Sequence, residues 1–350
     1  MSPCSQLTWS VLVPKPLKPS MCVPPHMPET AQQRALDLLR AEKRFLLAGH
    51  VRPDGDCVGG QAALAYGLRA LGKEVVIVNP DCPGRRFDYL YEGAPFQVFD
   101  SRSVPEHDVC CLMDINELSR CGGLARHLRE ASSKKLVIDH HPYAGEPWWD
   151  AAYMDPSASA TGLLVWRILK QLGVQLNRFA AEAVFTSLVT DTGWFRYSNT
   201  DAETMGVAAE MVGLGANPAS LFQKIYQRNE QTEPQAMGRL LGRVEYHAHG
   251  HLAVIDQPLS DNETALKDGD PVLDLLRAVE TVEVVLYVRE LEPGLCKLSA
   301  RSKTVFDVNQ LARQFGGGGH AKASGATIKG RLSEVRDDLV RATIEMMEQT

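Results

Sequence analysis

Four short apolar runs mark the first half of the chain, at residues 45–50, 75–78, 109–114 and 136–139. Runs of this length without polar alternation read as strands buried on both faces. Around them, apolar residues recur at helical spacing over 31–44, 57–71, 161–172 and 178–190. Strands that alternate with helices predict a parallel sheet covered on both sides. In open sheets of that kind, ligands collect beyond the carboxyl ends of the strands. Three of the four runs end there, in His50, Asp114 and Asp139.

After Gly215 the pattern changes. Residues 217–233 read as a polar, partly helical connector. Strands then dominate, at 242–249, 251–255, 282–289, 296–301 and 326–329, with amphipathic helices at 307–315 and 333–348. Val282, Val284, Leu286 and Val288 alternate with Glu283, Val285, Tyr287 and Arg289, the pattern of a partly covered strand. The expected fold class is α/β. An N-terminal parallel-sheet domain with helices on both faces (31–215) is followed by a linker (216–235) and a smaller C-terminal α+β domain (236–350). Residues 1–30 are rich in proline and are expected to be a disordered tail, with Met21 and Met27 as alternative starts.

The formal net charge of −6 offers no positive field to draw in a long polyanion. A short anion held by local cations stays open. None of the 8 cysteines forms a Cys-x-x-Cys pair, which argues against a zinc ribbon. Scattered thiols suit a reducing cytosol. No apolar stretch approaches the ~20 residues a membrane span needs. The apolar run 7–13 is followed rather than preceded by Lys15 and Lys18, the reverse of a secretion signal. A cytoplasmic setting is expected.

The strand ends carry the chemistry. The turn His50-Val51-Arg52-Pro53-Asp54-Gly55-Asp56 holds three potential ligands, Asp114 ends another run, and Asp139-His140-His141 ends a third. Asp191, at the end of a helical pattern, is a fourth source. Carboxylates with a few imidazoles suit borderline-hard divalent ions such as Mn²⁺. Two ions that share a carboxylate can acidify a water and hold phosphoryl oxygens. Each motif alone has an ordinary reading: an Asp after a strand is usually a turn former or a helix cap, and Asp56 is placed to cap the helix after it. The four together favour the metal.

With these motifs the sequence resembles the DHH phosphoesterase family, and within it the branch of bifunctional oligoribonucleases and 3′-phosphoadenosine-5′-phosphate (pAp) phosphatases. The matching stretches are 49–60, 113–122, 137–142 and 190–200, then Arg301-Ser302-Lys303 and Gly316-Gly317-Gly318-Gly319-His320. The resemblance implies a DHH domain, then a DHHA1 domain, and two divalent cations, with Mn²⁺ the first choice. One ion would take His50, Asp54 and Asp114. The other would take Asp56, Asp114, His140 and Asp191, with Asp114 bridging. The catalytic group would be Asp114, His141 at the scissile phosphate or leaving oxygen, and Asp139 orienting its neighbours. A metal-bridging hydroxide would release 5′-mononucleotides from very short RNA (nanoRNA) and AMP from pAp. Gly60 departs from the family, which has Ser there.

In that family the second domain binds the nucleotide. Gly317, Gly318, Gly319 and His320 would hold it, because residues without Cβ let backbone approach a ligand. Arg301, beside Ser302, would grip a phosphate. Gly316 alone is enough to end the preceding helix. Arg196 and Arg120 are further phosphate candidates. Trp194 or Tyr197 is a base-stacking candidate, although an aromatic run is more often core. Trp148-Trp149 reads as packing. Alternative functions are a linear or cyclic dinucleotide phosphodiesterase, an inorganic pyrophosphatase and a catalytically silent nucleotide sensor. The expected partners are short RNA and nucleoside bisphosphates, with neither long nucleic acid nor membrane, and a homodimer as the assembly.

Overall fold

The computed structural model describes residues 29–349 apart from 265–269. The expected tail, 1–30, lies outside the described residues except where α1 (Glu29–Ala41) begins. The chain divides between Arg228 and Asn229 into two compact units.

The first unit is built on six strands: β1 (Arg44–Ala48), β2 (Glu74–Asn79), β3 (Phe96–Val98), β4 (Val109–Met113), β5 (Lys134–Asp139) and β6 (Ala151–Met154). Their order is β3-β2-β1-β4-β5-β6, and every neighbouring pair is parallel. The chain steps outward from β1 through β2 to β3, then returns to lay β4 on the other side of β1. The carboxyl ends of β1 and β4 therefore flank the point where the strand order reverses, the usual ligand crevice of such sheets. Side chains alternate between two cores. Phe45 and Leu47 pack with α1, α2 (Gly55–Ala70), α4 (Thr161–Gln171) and α5 (Arg178–Asp191), while Leu46 and Ala48 pack on the face covered by α3 (Leu124–Glu130). Close packing of α2 on α5 demands Gly59, where a Cβ would lie 2.5 Å from the Ala183 carbonyl oxygen.

Strands β3 and β6 carry weak signals, one short and exposed at the edge, the other beginning with two alanines. The expected connector is also more ordered than its polarity suggests. It folds as α7 (Pro218–Tyr226), after α6 (Ala202–Gly213), and buries Leu221 and Ile225 in the first core.

The second unit runs α8 (Glu233–Leu241), β7 (Glu245–His247), β8 (Leu252–Gln257), α9 (Asp270–Arg277), β9 (Val284–Glu292), β10 (Leu295–Ser302), α10 (Val308–Gln314), β11 (Gly318–His320), β12 (Ala323–Lys329) and α11 (Leu332–Glu348). Its sheet order is β11-β12-β10-β9-β8-β7, antiparallel except for the β8–β9 pair. The expectation for β9 needs correcting. Val284, Leu286 and Val288 pack with α10 and α11, and Val285 and Tyr287 pack with α8 and α9, so the strand centre is covered on both faces. No helix among the described residues is long and apolar enough to cross a membrane.

Candidate metal centre

The pocket is assembled from four places in the first unit. His50 lies two residues beyond β1, and Asp54 caps α2, its carboxylate accepting from the N–H groups of Asp56 and Cys57 at 3.1 Å each. Asp114 follows β4 in the left-handed region, with φ +59°. Aspartate tolerates that conformation better than most residues, and its N–H donates to the Ile138 carbonyl at 3.0 Å. His140 and His141 follow β5, and Asp191 is the last residue of α5.

Asp114 is the hub. Its Oδ2 lies 3.4 Å from His50 Nε2, and its Oδ1 lies 3.6 Å from His140 Nε2 and 3.4 Å from His141 Nδ1. His140 Nε2 also lies 3.5 Å from Asp56 Oδ2 and 3.6 Å from Asp191 Oδ2, and His50 Nε2 is 3.9 Å from Asp54 Oδ1. Three triplets can each bring one donor atom within 4.8 Å of the other two: His50 with Asp54 and Asp114; Asp56 with His140 and Asp191; and Asp114 with His140 and His141. His50 Nε2 and His140 Nε2 are buried and make no hydrogen bond. Their Nδ1 atoms are occupied, by the Val51 carbonyl at 2.9 Å and the Ala158 carbonyl at 3.1 Å. Each ring is thus held at one nitrogen and presents the other, the arrangement of a metal-ligating imidazole.

The electrostatics point the same way. Burial, then the charges of Asp114 and Asp191, push the Asp56 carboxyl well above its ordinary value. Burial also pushes Asp191 up to about 6. For His50, burial acts downward but is overcome by the carboxylates of Asp114 and Asp54, which raise it to about 10. His140 is raised to about 9, burial being outweighed by Asp56, Asp191 and Asp114. Asp114 goes down: burial opposes ionisation but yields to His50, His141 and His140, which hold its carboxyl well below the usual range. Among the described residues, the ion pairs of Asp54, Asp56, Asp114 and Asp191 are all with histidines. Divalent cations can replace those imidazolium protons and relieve the carboxylate repulsion.

Asp139 is fully buried and accepts from His141 twice, from its N–H at 3.1 Å and from Nδ1 at 2.7 Å. It is an orienting group for His141. Arg120 is exposed, and its carbonyl accepts from the Val51 N–H at 2.8 Å, which ties its backbone to the His50–Asp56 turn. Arg196 donates to the Gly193 carbonyl at 2.7 Å. Trp194 packs edge-to-face against Phe185, Phe222 and Tyr226, so it belongs to an aromatic cluster. Trp148 and Trp149 also pack, with Tyr143.

In the second unit, the expected glycine loop is partly strand. Gly316, with φ +73°, ends α10, and the bonds Gly316 N–H to Arg313 O and Gly317 N–H to Ala312 O close a Schellman-type cap. Gly318, Gly319 and His320 form β11 and pair with β12. A Cβ on Gly317 would lie 2.1 Å from the Gly325 carbonyl oxygen, and one on Gly319 would lie 2.6 Å from that of Ala323. Backbone packing therefore accounts for three of the four glycines. Gly318 is the exception, exposed and with nothing nearer to its would-be Cβ than Asn309 Oδ1 at 3.8 Å. Arg301 is half-buried near the end of β10. Ser302 is buried, its hydroxyl donating to the Phe306 carbonyl at 2.7 Å, so it braces the strand end.

Two family models match in tandem: the DHH family N-terminal domain over residues 44–188 and the DHHA1 domain over 253–349. The chain is 33% identical over 316 residues to the bifunctional oligoribonuclease and PAP phosphatase NrnA of Thermus thermophilus, covering 87% of this chain and 94% of that protein. The chain belongs to the DHH family. It is also 27% identical over 291 residues to the protein of the same name from Bacillus subtilis, covering 81% and 89% of the two chains. An exopolyphosphatase-related protein of Bacteroides fragilis has the same fold, with a TM-score of 0.84 at 23% identity over 92% of this chain and 100% of its own.

Within the DHH unit, the sequence motifs named the acidic and histidine residues but not what holds them. Thr161, Gly162 and Ser187 surround Asp56, and Asn199 donates to Asp191 Oδ2 at 3.4 Å. The only sequence signal for the first pair was their place at the start of a helical pattern. Ser187 had none, being one more small residue inside a buried helix.

Proposed function

We propose that this DHH protein is a metal-dependent hydrolase that cuts short oligoribonucleotides to 5′-mononucleotides and pAp to AMP. The carrying observation is the pocket in which Asp114 faces His50, His140 and His141, with the carboxylates of Asp54, Asp56 and Asp191 beside them. The relatives named oligoribonuclease and PAP phosphatase, matched over nearly their whole length, support the substrate class.

The donors fit divalent cations: buried, unpartnered imidazole nitrogens beside crowded carboxylates, with only nitrogen and oxygen ligands. One ion would be held by His50, Asp54 and Asp114, the other by Asp56, Asp114, His140 and Asp191, and Mn²⁺ is the proposed metal. Such ions supply charge against phosphoryl oxygens and a water acidic enough to attack at neutral pH. Asp139 engages Nδ1 of His141 and would orient the ring for its role at the scissile phosphate. His141 gains protons more readily than a free imidazole, burial being overcome by Asp139 and Asp114, and would act at the scissile phosphate or the leaving oxygen. Arg301, Gly317, Gly318, Gly319 and His320 would hold the nucleotide, with Ser302 bracing the strand end and Arg120 and Arg196 as further phosphate contacts. The six described cysteines that are free fit a reducing, cytoplasmic setting.

A substrate panel tests this. With Mn²⁺ the purified chain is expected to cleave a diribonucleotide and pAp, and to lose both activities in chelator. Failure on the diribonucleotide, pAp and linear diadenylate alike would defeat the reading. Turnover of pyrophosphate alone would make the chain a pyrophosphatase.

A further inference from the structure

We propose that Thr161 and Ser187 are positioning residues of the metal centre, fixing the carboxylates of Asp56 and Asp114 so that Asp56 Oδ2 is the atom offered to an ion. This inference rests on the metal reading above.

Asp56 sits in the first turn of α2, yet its carboxylate caps a different helix. Ala160, at the N-cap of α4, has no side chain able to accept. Asp56 fills that role from across the pocket: Oδ2 accepts from the Thr161 N–H at 2.8 Å and Oδ1 from the Gly162 N–H at 3.1 Å. Ser187, one helix further along, has a hydroxyl that accepts from the Gly162 N–H at 2.8 Å, and its own proton goes to Asp56 Oδ1. A carboxylate oxygen has two lone-pair sites. Both sites of Oδ1 are occupied. Oδ2 carries a single N–H and keeps one site, and it lies 3.5 Å from the unpartnered His140 Nε2.

Thr161 reaches the second carboxylate as well. Its hydroxyl donates to Asp114 Oδ1 at 3.3 Å while its backbone N–H holds Asp56. All of these groups are buried: Thr161 and Ser187 are fully so, and Asp56 is 1% exposed. The arrangement demands a glycine between them, since a Cβ on Gly162 would stand 2.0 Å from Ser187 Oγ. Carboxylates that ligate an ion need their own hydrogen-bond partners to fix which oxygen faces it, and losing such partners typically weakens metal binding about 10–100-fold.

The test is Mn²⁺ titration of the full chain by calorimetry, beside diribonucleotide hydrolysis and circular dichroism. Thr161→Val removes the hydroxyl and keeps the shape and the backbone N–H. Ser187→Ala removes the donor to Asp56. Each is expected to lower Mn²⁺ affinity by about 10–100-fold with unchanged helix content, hydrolysis recovering as Mn²⁺ is raised. Thr161→Ser, which keeps the hydroxyl, should bind Mn²⁺ as the wild type does, so the Thr161 pair decides the hold on Asp114 and Ser187→Ala the hold on Asp56. Wild-type Mn²⁺ binding with undiminished affinity in both Thr161→Val and Ser187→Ala overturns this inference alone. Absence of Mn²⁺ binding by the wild-type chain overturns the metal reading together with it.

Discussion

The carboxyl ends of β1, β4 and β5 and the glycine segment after α10 both stood out in the sequence, and they stand on different physical ground. At the strand ends, carboxylates are crowded and the buried Nε2 atoms of His50 and His140 make no hydrogen bond. Burying polar groups without partners costs free energy, so that cost implies a ligand. At the glycines, most of the pattern is explained by chain geometry: a helix end at Gly316 and close backbone approaches at Gly317 and Gly319. An unusual residue run is evidence of a site only in proportion to what the fold leaves unexplained.

The sharpest way to break this contrast is Asp114→Ala. If Asp114 bridges two ions, turnover should fall by on the order of 10³-fold or more, with far-UV circular dichroism unchanged. Near-normal turnover would remove the bridge and with it the reading of the strand ends. The glycine half is probed by a pair of substitutions. Gly317→Ala places a methyl against the Gly325 carbonyl and should cost about 1–3 kcal/mol in a denaturant titration. Gly318→Ala should leave stability within about 0.5 kcal/mol but raise KM for pAp. An unaltered KM would show that substrate does not approach that backbone.

The smallest effect lies in α2. A Cβ on Gly60 would meet Met113 and Thr161 at an ordinary 3.5 Å, in contrast to the clash at Gly59. Gly60→Ala should therefore stabilise the chain by roughly 0.5–1 kcal/mol through helix propensity, read as a rise in denaturation midpoint.

Much of the site was legible before any coordinates. Strand and helix ends offered His50, Asp54, Asp56, Asp114, Asp139, His140, His141 and Asp191 as candidates, the family resemblance implied which six would be ligands, and the fold brings those six into one pocket. Of two ordinary readings, one is sound and one is not. The reading of the aromatic run as core holds for Trp194, whereas the reading of Asp56 as the cap of the helix after it fails: Asp54 caps α2, and the Asp56 carboxylate caps α4 instead. The expectation that β9 was only half covered came from Glu283 and Arg289, which lie at or beyond the limits of its buried stretch. Glu283 instead accepts from the N–H groups of Thr304, Val305 and Phe306, a bond set that no local pattern announces.

The sequence by itself determined the parallel sheet, the helices over it and the kinds of ligand gathered at the strand ends, because those follow from periodicity and from residue chemistry at short range. Only the tertiary structure decided which oxygen of Asp56 keeps an open lone-pair site, since its partners lie 105 and 131 residues away and meet it through the packing of α2, α4 and α5. Contacts of that span depend on how whole helices pack against one another, as Gly59 and Gly162 allow, and no periodic signal in a single chain records that geometry.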